Sequence, residues 1–312
     1  MVLVMRNVLH RIAMPYEEML LDVLLHVHDP WTLRLIEAEV RKQGWSASTV
    51  SPGMASSEQI HQFRPAVIVL DQRFPDRDGF EVCRQLRADP KTVALPVVLL
   101  TSAASSASWQ QGFRVCANAT LDLPVAPENV VPAIQAALDW QTRLTHEQVR
   151  AEVELELASQ ARNLLHVSDY LEGLSSGTSL SHQQIVRLCH AFLEIGQNAI
   201  EWGHAGLGDR TVRVWFRAHE DRVEVVVQDD GPGYDPLNLP HAASPDDPLR
   251  HLSIRERLGL RDGGFGLLIA RGLVDELRLE HRGNLVTLVM QFSRDHVRAD
   301  TFSHPCARLP SP

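Results

Sequence analysis

Short apolar runs and amphipathic stretches alternate along the chain from Leu21 to about Trp140. Leu21–Val27 reads as a strand, and Thr32–Lys42 reads as a helix with Leu33, Ile36 and Val40 on one face. Ala66–Leu70 and Pro96–Leu100 are continuous apolar runs, the pattern of parallel strands buried on both sides. Gly79–Arg87 and Glu128–Asp139 carry helical spacing. This alternation predicts a doubly wound α/β domain with a parallel sheet, flavodoxin-like, over residues 19–142. Functional residues of such folds gather at the carboxyl ends of the strands, where Asp71 and Thr101 fall.

The second half has a different rhythm. Residues 143–163 contain no Gly or Pro and many good helix formers, which predicts a helical linker. Leu144, Val149, Val153 and Leu157 give it a partial apolar stripe, which could pair two protomers into a homodimer; the alternative is a solvated connector. Ser181 and Gln184 form a capping-box pattern that opens a helix running from His182 to about Gly203. Thr211–Arg217 and Arg222–Gln228 alternate as paired strands turned at His219, Glu220 and Asp221. Glu276–Glu280 and Leu285–Phe292 form another pair, joined at Arg282, Gly283 and Asn284, and Leu267–Val274 between the two pairs reads as a helix. The expectation for residues 164–293 is a mixed sheet covered on one face by helices.

Composition narrows the class. A chain of 312 residues, 44% hydrophobic and 22% charged, suits two globular domains. A formal charge of −9 with no basic stripe argues against a nucleic-acid partner. No apolar run approaches the ~20 residues that span a bilayer, so no membrane role is expected. Residues 1–18 read as a disordered or misassigned extension rather than a signal peptide, and 294–312 as a disordered tail. Cys83, Cys116, Cys189 and Cys306 stand far apart, as expected of reduced thiols in a cytoplasmic protein without a zinc site.

Three blocks carry candidate chemistry. On the long helix, Glu194 and Asn198 lie four apart and therefore on one face. Asp229-Asp230-Gly231-Pro232-Gly233 places a carboxylate before two close glycines, letting backbone pass tightly under a flat or charged ligand. Asp262-Gly263-Gly264-Phe265-Gly266 precedes a helix, where unpaired N–H groups suit phosphates. In this order the blocks resemble the N, G1 and G2 boxes of GHKL ATPases, whose fold is the Bergerat α/β sandwich. Among these the chain is most similar to the anti-sigma-factor serine/threonine kinases, with Trp202 where that family usually has histidine. The resemblance implies ATP and Mg²⁺ as cofactors. Asn198 would hold the metal, Glu194 would position or deprotonate an attacking hydroxyl, and Asp229 would accept from the adenine amino group. Gly231 and Gly233 would let the base lie close, Gly264 and Gly266 would face the phosphates, and residues 237–260 would form a lid.

The segment Val67-Ile68-Val69-Leu70-Asp71, followed by Pro75 and Asp78-Gly79, resembles the core of a response-regulator receiver domain. Asp71 stands at the phosphoacceptor position and Thr101 at the switch hydroxyl. The departures weigh more. Val27 and His28 replace the family's acidic metal-binding pair, and Leu123 replaces its lysine. Phosphorylating a carboxylate brings a polyanion to an anion, so losing both the metal ligands and the cation predicts a degenerate receiver. His26 and His28 share one strand face by the two-residue period.

Together the resemblances imply a cytoplasmic bacterial regulator. It would phosphorylate a small anti-sigma antagonist protein, and a sigma factor could be a further partner. The alternatives are a non-catalytic nucleotide-dependent binding switch and an atypical histidine kinase. His146-Glu147 does not fit the latter's phosphoacceptor pattern.

Overall fold

The computed structural model describes residues 21–50, 60, 63–75, 78–102, 113–204, 210–232, 253, 256–257, 264–280 and 283–292. The first domain contains β1 (Asp22–His26), α1 (Pro30–Lys42), β2 (Ser46–Thr49), β3 (Val67–Asp71), α2 (Gly79–Ala88) and β4 (Val97–Thr101). After β5 (Phe113–Val115) follow β6 (Ala119–Asp122) and α3 (Pro127–His146). Its sheet has the order β2-β1-β3-β4-β6, with every pairing parallel. Alternate strand residues feed opposite faces, as the pleat requires. Val23, Leu25, Val67, Val69, Val98 and Leu100 pack toward Ile36, Val40, Val130 and Ile134 of α1 and α3. Leu24, Ile68, Leu70, Val97 and Leu99 belong to a core that contains Val82 and Leu86 of α2. Asp29 and Asp78 cap α1 and α2, accepting from Thr32 N at 2.7 Å and Phe80 N at 2.9 Å.

The second domain is built from β7 (Ala151–Ala158), α4 (Ala161–Ser176), α5 (His182–Asn198), β8 (Thr211–Ala218) and β9 (Arg222–Gln228), then α6 (Gly266–Leu273), β10 (Glu276–Glu280) and β11 (Leu285–Gln291). The sheet order is β10-β11-β9-β8-β7-β5, and the pairings are antiparallel throughout, not mixed as the sequence suggested. The reason is connectivity: β8–β9 and β10–β11 are hairpins, and the two helices α4 and α5 between β7 and β8 bring the chain back in the opposite direction. Val153, Leu155, Val214, Phe216, Val225 and Leu288 are buried in a core shared with Leu164 and Val167 of α4, Leu188 and Phe192 of α5 and Ala270 of α6. The capping box at Ser181 and Gln184 forms as expected.

The expected helical linker over 143–163 does not exist. Helix α3 ends at His146, the chain turns through Gln148 at φ 56°, and residues 151–158 are a strand. Glutamate favours helices in isolation, but here it alternates with Val153, Leu155 and Leu157, and that two-residue period prevails once one face is buried. The stripe read as a dimer seam lies inside the molecule, with Leu144, Val149, Val153 and Leu157 all buried.

The two domains share a sheet. Strand β5, which lies between β4 and β6 in the chain, leaves the first sheet and becomes the edge strand of the second, pairing Phe113, Arg114 and Val115 with Leu157, Glu156 and Leu155. Around it, Arg114 pairs with Glu156 at 2.5 Å, Phe113 contacts the Tyr170 ring with centroids 5.7 Å apart, and Tyr170 Oη donates to the Arg84 carbonyl at 3.1 Å. Glu152 accepts from Arg143 (2.6 Å), Arg217 (2.7 Å) and Trp140 Nε1 (3.0 Å), tying α3 to β7 and β8. One continuous hydrophobic core runs through α2, β5 and the second sheet.

Candidate nucleotide site and receiver crevice

Helix α5 carries Glu194 and Asn198 one turn apart, both half-buried. Facing them is the first residue of α6. A Cβ added to Gly266 would sit 2.8 Å from Glu194 Oε2 and 3.4 Å from Asn198 Nδ2, so a side chain there would push against both. Gly264 precedes it at φ 91°, a conformation that favours glycine. Two blocks separated by nearly seventy residues therefore meet at a helix N-terminus, where free N–H groups point outward.

Beyond Asn198 the helix widens. Ala199–Gly203 form a π-helical turn, and His204 N donates to the carbonyl of Ala199, five residues back, at 3.0 Å. Such turns are frequent at functional sites. The widened turn brings Gly203 against the Asp229 carboxylate: a Cβ on Gly203 would lie 2.4 Å from both Cγ and Oδ1. Gly231 closes the other side, where a Cβ would meet Gly203 O at 2.2 Å and Asp229 Oδ1 at 2.7 Å. Gly231 N donates to Asp229 Oδ1 at 2.9 Å. Asp229 N donates to Asn284 O at 3.0 Å, and Asn284 Nδ2 returns a bond to Asp229 O at 3.4 Å. Burial raises the Asp229 carboxyl above its ordinary value, against the lowering effect of the Gly231 N–H and of His204. This carboxylate, with backbone at van der Waals contact on two sides, is a fixed acceptor for a flat donor group.

The structure thus brings together Glu194, Asn198 and Gly266, and packs Asp229 with Gly231. Gly233 and nearly all of the expected lid at 237–260 lie outside the described residues. Sequence reasoning gave no site role to Gly203, His204, Ser159 or Asn284. The signal for the first two was their position directly behind the Glu194–Asn198 block. Ser159 and Asn284 are brought in only by the sheet.

In the first domain, Asp71 is buried at the end of β3, and its carboxylate accepts from His28 N and Arg73 N, each at 3.2 Å. Thr101 Oγ1 donates to Asp122 at 3.2 Å. Leu123 packs against the α1–α3 core, so the position of the receiver lysine is apolar. Asp29, the nearest acidic residue on the β1–α1 connection, serves as a helix cap, and the Thr32 N–H holds its carboxyl below the ordinary value. His26 turns into the interior and stacks on Phe74 with centroids 4.1 Å apart, away from the exposed His28.

A polar cavity of about 150 Å³ lies between the domains, lined by Arg87, Cys116, Trp140, Glu154, Trp215 and others. Cys116, Glu154 and Glu156 approach one another beside it, but Glu156 already pairs with Arg114 and Arg213, and burial pushes the Cys116 thiol up. Among the described residues no helix is long and apolar enough to cross a membrane.

A parallel-sheet domain with an aspartate at a strand end, joined to an antiparallel sheet with a glycine-lined carboxylate, defines a receiver fused to an ATPase-like domain. The chain matches the histidine kinase-like ATPase domain family over residues 123–291, more than half its length, and belongs to it. Residues 23–135 match the response regulator receiver domain. The two matches overlap at 123–135, residues that pack within the first domain. The chain is similar to the DNA-binding dual master transcriptional regulator RpaA of Synechocystis sp., 27% identical over 213 residues, covering 65% of this chain and 86% of that protein. It is 34% identical over 93 residues to the response regulator PleD of Caulobacter vibrioides, covering 30% of this chain and 20% of PleD. A putative response regulator from Chloroflexus aurantiacus is a structural neighbour at 24% identity and TM-score 0.34, covering 38% of this chain and 97% of that one. An ATPase-like domain fused to a receiver is the makeup of a bacterial signalling protein.

Proposed function

We propose that this protein binds Mg²⁺-ATP and transfers the γ-phosphoryl group to a serine or threonine of a small anti-sigma antagonist protein. The observation that carries the reading is the meeting of Glu194 and Asn198 with Gly266 at the start of α6. The residues fit the ligand: Asn198 offers an oxygen to a hard cation, the α6 N-terminus offers N–H groups to phosphates, and Asp229 offers a buried acceptor to the adenine amino group. When bound, Mg²⁺ would neutralise charge on the phosphates.

Glu194 is the base in this reading. Its carboxylate takes the proton of the substrate hydroxyl as that oxygen bonds to the γ-phosphorus and the bond to the β–γ bridging oxygen breaks, leaving ADP. The receiver acts without its own phosphotransfer. Strand β5, which extends the ATPase sheet beside β7, supplies a physical link by which a partner docked on the receiver would influence the nucleotide side.

The test is transfer from labelled ATP to candidate antagonist proteins, comparing wild type with Glu194→Ala. Loss of a positioned base costs about 10²–10⁴ in rate, with ATP binding retained. Equal rates would refute the role of Glu194. ATP-dependent changes in partner affinity with no labelling at all would instead indicate a non-catalytic switch.

A further inference from the structure

Behind Asp229 lies a polar network that the nucleotide reading does not use. His204 is fully buried, yet both ring nitrogens have partners: Nδ1 lies 2.9 Å from Ser159 Oγ, and Nε2 lies 2.6 Å from Asp230 Oδ1. The Asp230 carboxylate can only accept, so Nε2–H donates to it, while Nδ1 shares a hydrogen bond with the Ser159 hydroxyl. A backbone contact from Asp230 N to the same Nε2, at 3.4 Å, is longer and secondary. Ser159 directly follows β7, and its N–H donates to Arg210 O at 2.9 Å. Arg210 in turn pairs with Asp230 at 3.3 Å. The imidazole therefore connects the end of β7, the π-helical turn and the end of β9.

This arrangement has a consequence for the next residue on each side. Gly203, which precedes His204, is the residue in contact with the Asp229 carboxylate, and Asp230, which His204 holds, follows Asp229. Moving the imidazole moves both neighbours of the carboxylate. Ser159 is buried too, so the Ser159–His204–Asp230 set has no access for a substrate and is no hydrolytic triad.

We infer that His204 is a positioning residue for nucleobase selection: it fixes the Asp229 carboxylate at the place where a 6-amino group is recognised. The inference rests on the nucleotide reading above. A carboxylate held at a fixed place accepts from the 6-amino group of ATP and rejects a 6-oxo purine, which offers an acceptor there. A site built on a buried hydrogen bond discriminates sharply, whereas a loosened one does not.

The test is the ratio of dissociation constants for Mg²⁺-ATP and Mg²⁺-ITP, measured by calorimetry on the full chain. Wild type should prefer ATP by about 10–100-fold. In His204→Ala the preference should fall to within about threefold of unity, with ITP affinity little changed. His204→Gln, whose amide can still donate toward Asp230, should restore most of it. Ser159→Ala, a milder change that removes only the hydroxyl, should give an intermediate ratio and serves if His204→Ala does not fold. A residue that merely supported the fold would weaken both nucleotides together. An unchanged ATP preference in folded His204→Ala and Ser159→Ala, or a parallel loss of ATP and ITP, would overturn the inference, while ATP binding by wild type would leave the nucleotide reading standing. If wild type bound neither nucleotide, the nucleotide reading itself would fall, and this one with it.

Discussion

Gly203→Ala is a single methyl placed where the structure has no room. The added Cβ would lie 2.4 Å from Asp229 Cγ and Oδ1, at least about 0.6 Å inside the closest contact that carbon and oxygen tolerate. The carboxylate has little freedom to give way. Gly231 N holds Oδ1 at 2.9 Å, and Asn284 pins the Asp229 backbone on both sides. The carboxylate must then rotate away and lose its line to the adenine amino group. A hydrogen bond to a charged group is worth about 1.5–3 kcal/mol, or about 10–150-fold in affinity. Calorimetric titration with Mg²⁺-ATP measures this, with circular dichroism to confirm folding, since overpacking itself costs about 1–3 kcal/mol of stability. The matched control is Gly173→Ala. Gly173 is exposed within α4, and a Cβ there meets nothing within 4 Å. Alanine should stabilise that helix by about 1 kcal/mol and leave ATP affinity alone. A folded Gly203→Ala variant binding ATP within about twofold of wild type would refute the reasoning.

Two other predictions concern the receiver and its seam. Acetyl phosphate with Mg²⁺ should not modify Asp71, because Val27 and His28 supply no oxygen ligands for Mg²⁺ and Leu123 stands in place of the lysine; intact-mass analysis checks this, and an acid-labile adduct that vanishes in Asp71→Asn would contradict it. Glu152 is buried, which alone would raise its carboxyl, but its bonds to Arg143 and Arg217 hold it below the ordinary value. A depressed folded value means stabilisation that is present above the unfolded value and lost as pH falls through the folded one. Glu152→Gln should thus cost about 2 kcal/mol near neutral pH, with the gap to wild type closing below about pH 4; melting curves showing a gap unchanged at low pH would contradict the pairing.

Much of the molecule was legible before its structure. The strands at Val67–Asp71 and Val97–Thr101 are continuous apolar runs because both faces are buried, and such runs admit few other readings. Glu194, Asn198 and Gly266, which the structure brings together, stood out because their patterns are local: a helical spacing, and glycines before a helix. What failed was non-local. The alternation at Ala151–Ala158 was outweighed by the helix propensity of its glutamates, but Glu152 and Glu156 find partners in Arg114, Arg213 and Arg217 on neighbouring strands and Arg143 on α3. Phe113–Val115 is too short to announce itself, and it becomes a strand only because β7 offers an edge. His204 was hidden because its partners, Ser159 and Asp230, lie 45 and 26 residues away. The antiparallel sheet likewise followed from connections that spacing alone does not fix.

The most direct test of the account is calorimetric titration of the full-length protein with Mg²⁺-ATP, alongside Asn198→Ala and Asp229→Ala. The account predicts binding by wild type in the micromolar range, about −8 kcal/mol. It predicts that both variants, folded, lose it, since one removes the metal's oxygen ligand and the other the adenine acceptor. ATP affinity unchanged in both folded variants would contradict the assignment of this site.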